Sequence, residues 1–330
     1  MKVVRMLAAV ALLPITGAAV AQSPPQTPED LVIAAKRAAG RDYAGTFLRI
    51  CVAPDNLGGG APRPPNATPA ARAVPDRASW YAQPYKVFDN LYFVGTKIHS
   101  AWALTTSDGI VVIDTLFDYA IEPQIIEGLT KLGLDPRDIK YVLISHAHGD
   151  HDQGAALLQQ RFGAKIVMGA ADWDSTLQRP STAAGGVPKR DIAVGPEGLE
   201  LTLGDTTVDV VATPGHTPGT LSYVFPVRDG GRTLHVAYSG GTAFNFPRRA
   251  DNFAIYRDSA KKMAVAAAAA GATVLMTNHS EFDAAYDRAR IAQLPRPAGD
   301  KHPYETDAAT VQRYFEMTGN CAEAQRLSTQ

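Results

Sequence analysis

Cysteine is almost missing from this chain: of 330 residues only Cys51 and Cys321 carry a thiol. Neither stands at metal-ligand spacing from a partner, which argues against a cysteine-built metal site. A surplus of one charge is missing too. The formal net charge is −1, so no basic field points to nucleic acid or an anionic membrane as partner. After the first 22 residues no run is long and apolar enough to span a bilayer. The alanine-rich 263–275 stretch reads instead as a packed helix ending at Gly271. No short-period repeat is visible.

What remains is the balance of a soluble globular protein, 45% hydrophobic and 20% charged, with enough apolar surface for a sizeable core. The N-terminus, MKVVRMLAAVALLPITGAAVAQ, has the layout of a secretory signal peptide: Lys2 and Arg5, an apolar run, then an A-x-A site with cleavage expected after Ala21. Losing Lys2 and Arg5 takes the formal charge from −1 to −3. Export would place Cys51 and Cys321 in an oxidising compartment. A disulfide tying the N-terminal extension to the last helix and a pair of unjoined thiols both remain open. Residues 22–83 read as an extension with a short helix near 28–39. A Gly/Pro-rich stretch over 53–76 cannot bury enough apolar area to hold regular structure alone.

From residue 84 to 330 the pattern is that of a folded domain. YKVFDNLYFVG, SAWALTTS and GIVVIDT read as successive strands. Residues 121–133 carry isoleucines and leucines at helical spacing, and IKYVLIS (139–145) is a buried strand. A helix over 153–163 and the strand AKIVMG follow, then strands LELTL, TTVDVVAT, TLSYVFPV and RTLHVAY with a turn at Asp229-Gly230. The alanine-rich helix, a strand over 273–278, and helices near 281–293 and 305–326 complete the series. The expectation is one domain of two packed sheets with helices outside. Residues 172–190 read as a loop that could cap a groove, with Trp173 beneath it, or as an ordinary solvated loop.

Only eight histidines occur, yet three of them fall in SHAHGDHDQG, residues 145–154. A strand that ends and turns sharply at Gly149 can aim His146, His148, Asp150 and His151 into one small space. Imidazoles and a carboxylate without thiolate suit zinc, and also iron or manganese. Four candidates exceed the need of one tetrahedral ion with an open position, which points to two metals. His216, in ATPGHTPGT, and His279, in LMTNHSEFD, each follow a strand directly and are candidates to complete the set. His99, His235 and His302 lack such a setting and read as structural or exposed.

SHAHGDHDQG, PGHTPGT and NHSEFD together resemble the metallo-β-lactamase superfamily over about residues 84–325. That resemblance implies an αβ/βα four-layer sandwich, two mixed β-sheets packed face to face with helices outside. It implies two Zn²⁺ per chain, one on His146, His148 and His216 and one on Asp150, His151 and His279, with Asp114 of GIVVIDT supporting the site from behind. After the strand HVAYSGGTAFNF, where glyoxalase II, lactonase and nuclease-like members carry a bridging aspartate, this chain has Ser239, Gly240 and Gly241. That departure, with His151 and His279 beside Asp150, resembles class B, subclass 3 β-lactamases, as does the tail DAATVQRYFEMTGNCAEAQ. The serines that bind the β-lactam carboxylate in that subclass are replaced near Gly241 and Ala243; Thr242, Asn245 and Arg248 are the possible substitutes.

The function implied is a periplasmic or secreted zinc hydrolase that opens the β-lactam amide with a zinc-bridging hydroxide. In it Asp150 orients the nucleophile and no protein nucleophile is required. A related exported metallohydrolase acting on another ester, lactone or amide is the alternative, and a non-catalytic metal-binding protein comes last. The expected partner is a small-molecule substrate, with neither nucleic acid nor, after signal cleavage, a membrane. The sequence leaves the oligomeric state open.

Overall fold

The computed structural model describes residues 26–52, 74–179, 183 and 185–329. The expected signal segment, most of the Gly/Pro-rich stretch, and residues 180–182 and 184 of the 172–190 segment lie outside the described residues.

The chain opens with helix α1 (Pro28–Ala39), whose start is written in its sequence. Thr27 Oγ1 accepts from the Asp30 N–H at 3.1 Å, and the Asp30 carboxylate accepts from the Thr27 N–H at 3.0 Å, a reciprocal cap. Helices α2 (Ala44–Cys51) and α3 (Arg77–Trp80) follow. The first sheet then forms from β1 (Tyr85–Lys86), β2 (Leu91–Phe93), β3 (Trp102–Thr106) and β4 (Gly109–Ile113). YKVFDNLYFVG is thus a hairpin of two short strands rather than one long strand. The expected helix over 121–133 is composite: α4 (Asp118–Ala120), a π-helical turn Ile121–Ile126, and α5 (Glu127–Lys131). Pro123, which has no N–H to give, lies within the π-helical turn. Strand β5 (Ile139–Leu143), α6 (Gly149–Asp152), α7 (Ala155–Phe162), β6 (Lys165–Gly169), α8 (Ala170–Gln178) and β7 (Ile192–Val194) complete this half.

The second half holds β8 (Leu199–Leu203), β9 (Thr206–Ala212), β10 (Leu221–Asp229) and β11 (Arg232–Ser239). Helix α9 (Ala250–Ala269), β12 (Val274–Thr277), α10 (Ser280–Asp283), α11 (Ala285–Ile291) and α12 (Ala308–Ser328) follow. The alanine-rich helix begins well before residue 263. Phe253, Tyr256, Ala260, Met263 and Ala267 are its buried residues, one stripe at three- and four-residue spacing.

Strands β1 to β7 form one mixed sheet in chain order, and the other runs β12-β11-β10-β9-β8. Strands β4 to β7 are parallel, as are β11 and β12. Strand alternation makes four layers. Phe93, Trp102, Ile113 and Leu143 meet Tyr223, Phe225, Val236 and Tyr238 between the sheets. Val142, Ile144 and Met168 point the other way, to Ile125, Leu129 and Leu158 on the outer helices. On the far side Val224, Ala237 and Leu275 pack with Met263 of α9, Tyr314 and Phe315 of α12, and Ala35 and Phe47 of α1 and α2. Cys51 and Cys321 are joined, with Cα atoms 5.0 Å apart, so α2 is bonded to α12. The αβ/βα sandwich expected from the sequence is the observed architecture.

Parallel strands send all their carboxyl ends to one rim. Asp114 follows β4, 144–151 follow β5, Asp172 follows β6, Ser239 ends β11 with Gly240 and Gly241 just after it, and His279 follows β12. His216 joins them from the β9–β10 connection.

Candidate metal centre

Two clusters form at this rim. In the first, His146 Nε2, His148 Nδ1 and His216 Nε2 make a triangle with sides of 2.9, 3.1 and 3.2 Å. In the second, His151 Nε2 lies 3.1 Å from His279 Nε2, and both are 3.3 Å from Asp150 Oδ2. All six residues named from the sequence are therefore brought together.

Hydrogen bonds behind the rings set the tautomers. His146 Nδ1 donates to Gly240 O at 2.9 Å and His216 Nδ1 to Ala243 O at 2.7 Å. With Nδ1 carrying the proton, each neutral ring presents a bare lone pair at Nε2. Two such lone pairs 3.1 Å apart repel unless a cation lies between them. That contact is the observation by which these residues fit a metal ion. The protonation states agree. Burial, reinforced by neighbouring imidazoles, holds His146 well below the ordinary histidine range, and burial lowers His148. Burial takes His216 to about 3. A metal needs these rings neutral, and the fold keeps them so.

The second cluster has the opposite electrostatics. His151 is wholly buried, which opposes its charge, but the Asp150 and Asp114 carboxylates outweigh burial and raise it to about 10. Asp150 is likewise pushed up by burial, yet the charge and hydrogen bonds of His151 and His279 hold it far below the usual carboxylate range. Negative charge placed among imidazoles is a setting for a divalent cation.

Asp114 is the buttress. It has φ +61°, a left-handed conformation that aspartate tolerates better than most residues. Its Oδ1 accepts from Ser145 N at 2.7 Å. Its Oδ2 accepts from Ser145 Oγ at 2.8 Å, from His151 Nδ1 at 2.9 Å and from Tyr238 OH at 3.3 Å. Ser145 is thereby structural.

Three features were not read from the sequence. Asp172 clamps the two histidine loops together: it accepts from Ala147 N and Thr217 Oγ1 at 2.7 Å and from Gly219 N at 2.8 Å. It lies on α8, so the start of the expected 172–190 loop is helical. Asp172, Trp173 and Thr176 are the buried residues of α8, a face without an apolar stripe that periodicity could detect. Trp173 is core, wholly buried and donating to Ile192 O at 2.8 Å. The third is His99, whose Nε2 lies 3.5 Å from Asp150 Oδ2. The expectation that His99 stands apart from the site is thus corrected; a histidine in a turn between β2 and β3 has no local signature of what faces it. His302 is structural, stacked on Phe88 and donating to Val87 O at 2.8 Å.

Beside the first cluster a groove of about 620 Å³ is lined by His148 and His216, the apolar Phe246 and Ile255, and the amides Asn245 and Asn252. Of the three substitute anchors, only Asn245 lines it. Thr242 is buried and bonded to Tyr314 OH at 2.7 Å, and Arg248 reaches Gln325 on α12. A side chain at Gly241 has no room, since a Cβ there would lie 2.5 Å from His216 Cβ.

Comparison with known proteins matches this arrangement. Residues 94–268 fit the family model described as the metallo-beta-lactamase superfamily. A subclass B3 metallo-beta-lactamase of Bradyrhizobium japonicum superposes with a TM-score of 0.57 and 28% identity, covering 71% of this chain and 90% of that one. A hydroxyacylglutathione hydrolase of Acidiphilium cryptum is 40% identical over 87 residues, 26% of this chain and 31% of that enzyme. The uncharacterized protein YobT of Bacillus subtilis is 30% identical over 224 residues, 57% of this chain and 91% of that protein. With a model matching more than half its length, and with two stacked sheets whose rim gathers a histidine-rich site, this chain belongs to the metallo-beta-lactamase superfamily of hydrolases.

Proposed function

We propose that the protein is an exported zinc hydrolase that opens the amide of a β-lactam. His146, His148 and His216 would hold one zinc ion, and Asp150, His151 and His279 the other. Ions so bound supply Lewis acidity toward a carbonyl and make a water acidic enough to attack near neutral pH. The chain's own residues do the rest. Backbone carbonyls at Gly240 and Ala243 fix the tautomers of His146 and His216, and Asp114 fixes that of His151. Asp150 orients the attacking water, and either Asp150 or a water returns the proton to the departing nitrogen. Phe246 and Ile255 supply a dry wall, and Asn245 and Asn252 supply hydrogen bonds that seat the substrate.

The observation that carries this reading is at the end of β11. There the chain presents Ser239, Gly240 and Gly241 and no carboxylate, while β12 delivers His279 to the second cluster. Likeness to the Bradyrhizobium β-lactamase over 90% of its length supports it as well. A second reading, hydrolysis of another ester, a thioester included, or of a lactone or other amide, is favoured by the groove itself: among the described residues, no lysine or arginine lines it to hold a β-lactam carboxylate.

Purified residues 22–330, loaded with zinc, would be assayed on a chromogenic cephalosporin, a carbapenem and a hydroxyacyl thioester of glutathione, with and without chelator. Chelator-sensitive β-lactam turnover of about 10⁴ M⁻¹s⁻¹ or above is expected. Thioester turnover alone would move the assignment to the second reading, and inertness toward all three would overturn the first reading and the thioester form of the second. Export is tested separately by N-terminal sequencing of the mature protein, which should begin at Gln22.

A further inference from the structure

We propose that His99 is a fourth protein ligand of the second metal position, an inference that rests on the two-metal reading above. Its imidazole adjoins that position through two of its members: the ligand atoms of His99, Asp150 and His279 all lie within 4.8 Å of one another, and the His99 and His151 rings stand 6.4 Å apart on either side. Three Nε2 atoms surround a single carboxylate oxygen, Asp150 Oδ2, at 3.3 Å from His151, 3.3 Å from His279 and 3.5 Å from His99.

The backbone holds His99 in this place. Thr96 Oγ1 accepts from Ile98 N at 3.2 Å and from His99 N at 2.9 Å, and Thr96 N donates to His99 O at 2.8 Å. This tight turn is then stitched to the segment that carries His279. Ser100 N donates to Asn278 O at 2.9 Å, Ser280 N donates to Ile98 O at 2.8 Å, and His99 and His279 form an antiparallel bridge. The two residues are therefore presented together as one unit. The His99 ring is fixed between Phe117 and His279, each 5.1 Å away and edge-on, with 15% of its side chain exposed. A half-buried imidazole locked at this distance is already ordered, so little conformational entropy is lost when it binds an ion.

The consequence is an asymmetry between the two positions. The first offers three donors and leaves a tetrahedral ion an open place. The second offers one donor more, three imidazoles around one carboxylate oxygen. His99 thus makes the second position the more firmly held.

The test compares wild type, His99→Ala, His99→Gln and His279→Ala by metal content after dialysis against graded chelator, and by the visible spectrum of the Co(II)-loaded proteins. Wild type should hold two ions. His99→Ala should lose the second at a chelator concentration at least about tenfold lower, with a changed Co(II) spectrum and an unchanged first ion. His279→Ala shows what loss of an accepted ligand looks like. If His99→Ala melts far below wild type, His99→Gln decides, and the same selective loss is expected of it. Two ions held with wild-type affinity and spectrum in the His99 variants would overturn the inference and leave the two-metal reading standing. A wild-type protein that takes no second ion would overturn both.

Discussion

Asp114→Asn tests whether the hydrogen bonds behind the site control what the site can bind. The two residues have the same shape, and asparagine accepts the left-handed φ of +61° at this position. Oδ1 must remain an oxygen because it accepts from Ser145 N at 2.7 Å. The new amide nitrogen is therefore forced into the Oδ2 place, facing Ser145 Oγ, Tyr238 OH and His151 Nδ1. The two hydroxyls can turn and accept. His151 can accept only by moving its proton to Nε2, which then points N–H at Asp150 and His279. A ring in that tautomer cannot ligate through Nε2. The expected result is a loss of second-site metal affinity of about 10- to 100-fold, or about 1.4 to 2.8 kcal/mol. The metal-free melting temperature should fall as well, because the Asp114 carboxylate is one of the charges that hold buried His151 protonated. Asp114→Ala is the contrast, since it strands the buried donors Ser145 N–H and His151 Nδ1–H at about 1–3 kcal/mol each and should destabilise the fold broadly. Competition with a chelating dye reads the affinity, and ¹⁵N NMR of the imidazoles reads which nitrogen carries the proton. Wild-type affinity for the second ion in Asp114→Asn would refute the reasoning.

Other outcomes follow from the same structure. Gly241→Ser should expel the first ion rather than create a substrate anchor, because its Cβ would lie 2.5 Å from His216 Cβ; zinc content and a co-crystal with substrate would show otherwise. Replacing Cys51 and Cys321 together by alanine opens a link spanning 270 residues, worth about 5.6 kcal/mol by loop-closure entropy, and should lower the urea midpoint while leaving metal content intact. In the metal-free protein His216, lowered to about 3, makes stability fall as pH drops from 6.5 toward 3, because the unfolded ring takes the proton first. His151, raised to about 10, contributes stability that is complete below 6.5 and lost as pH rises through 10. Asp283, raised by burial to about 6, opposes the acid fall between 3.8 and 6 without reversing it. Metal-free stability should therefore peak near neutrality, and on the proposed two-metal reading zinc at an unprotonated His151 should remove the alkaline decline; pH-dependent melts with and without zinc measure both.

Local chemistry made much of this protein legible. SHAHGDHDQG needs no distant partner to be read, since four donors lie within six residues of one turn. The α1 cap is spelled by Thr27, Pro28 and Asp30, and alternation along β10 and β11 marks two faces. The signals failed where stability comes from contacts between segments. The inner face of α8 carries Asp172 and Thr176, so no apolar period announces it. The short β7 and the helix α2 are held by neighbours rather than by strong patterns of their own.

The sequence by itself determined the donor chemistry, the strand-end turn that presents it, and hence the superfamily and its sandwich. Tertiary structure alone decided the rest. His216 meets His146 across 70 residues of chain and His279 meets His151 across 128 because parallel and antiparallel pairing brings their strand ends to one rim. Asp172 locks those loops, Cys51 finds Cys321, and His99 faces Asp150 for the same reason. Such meetings depend on the three-dimensional path of the backbone, and spacing along the chain carries no record of it.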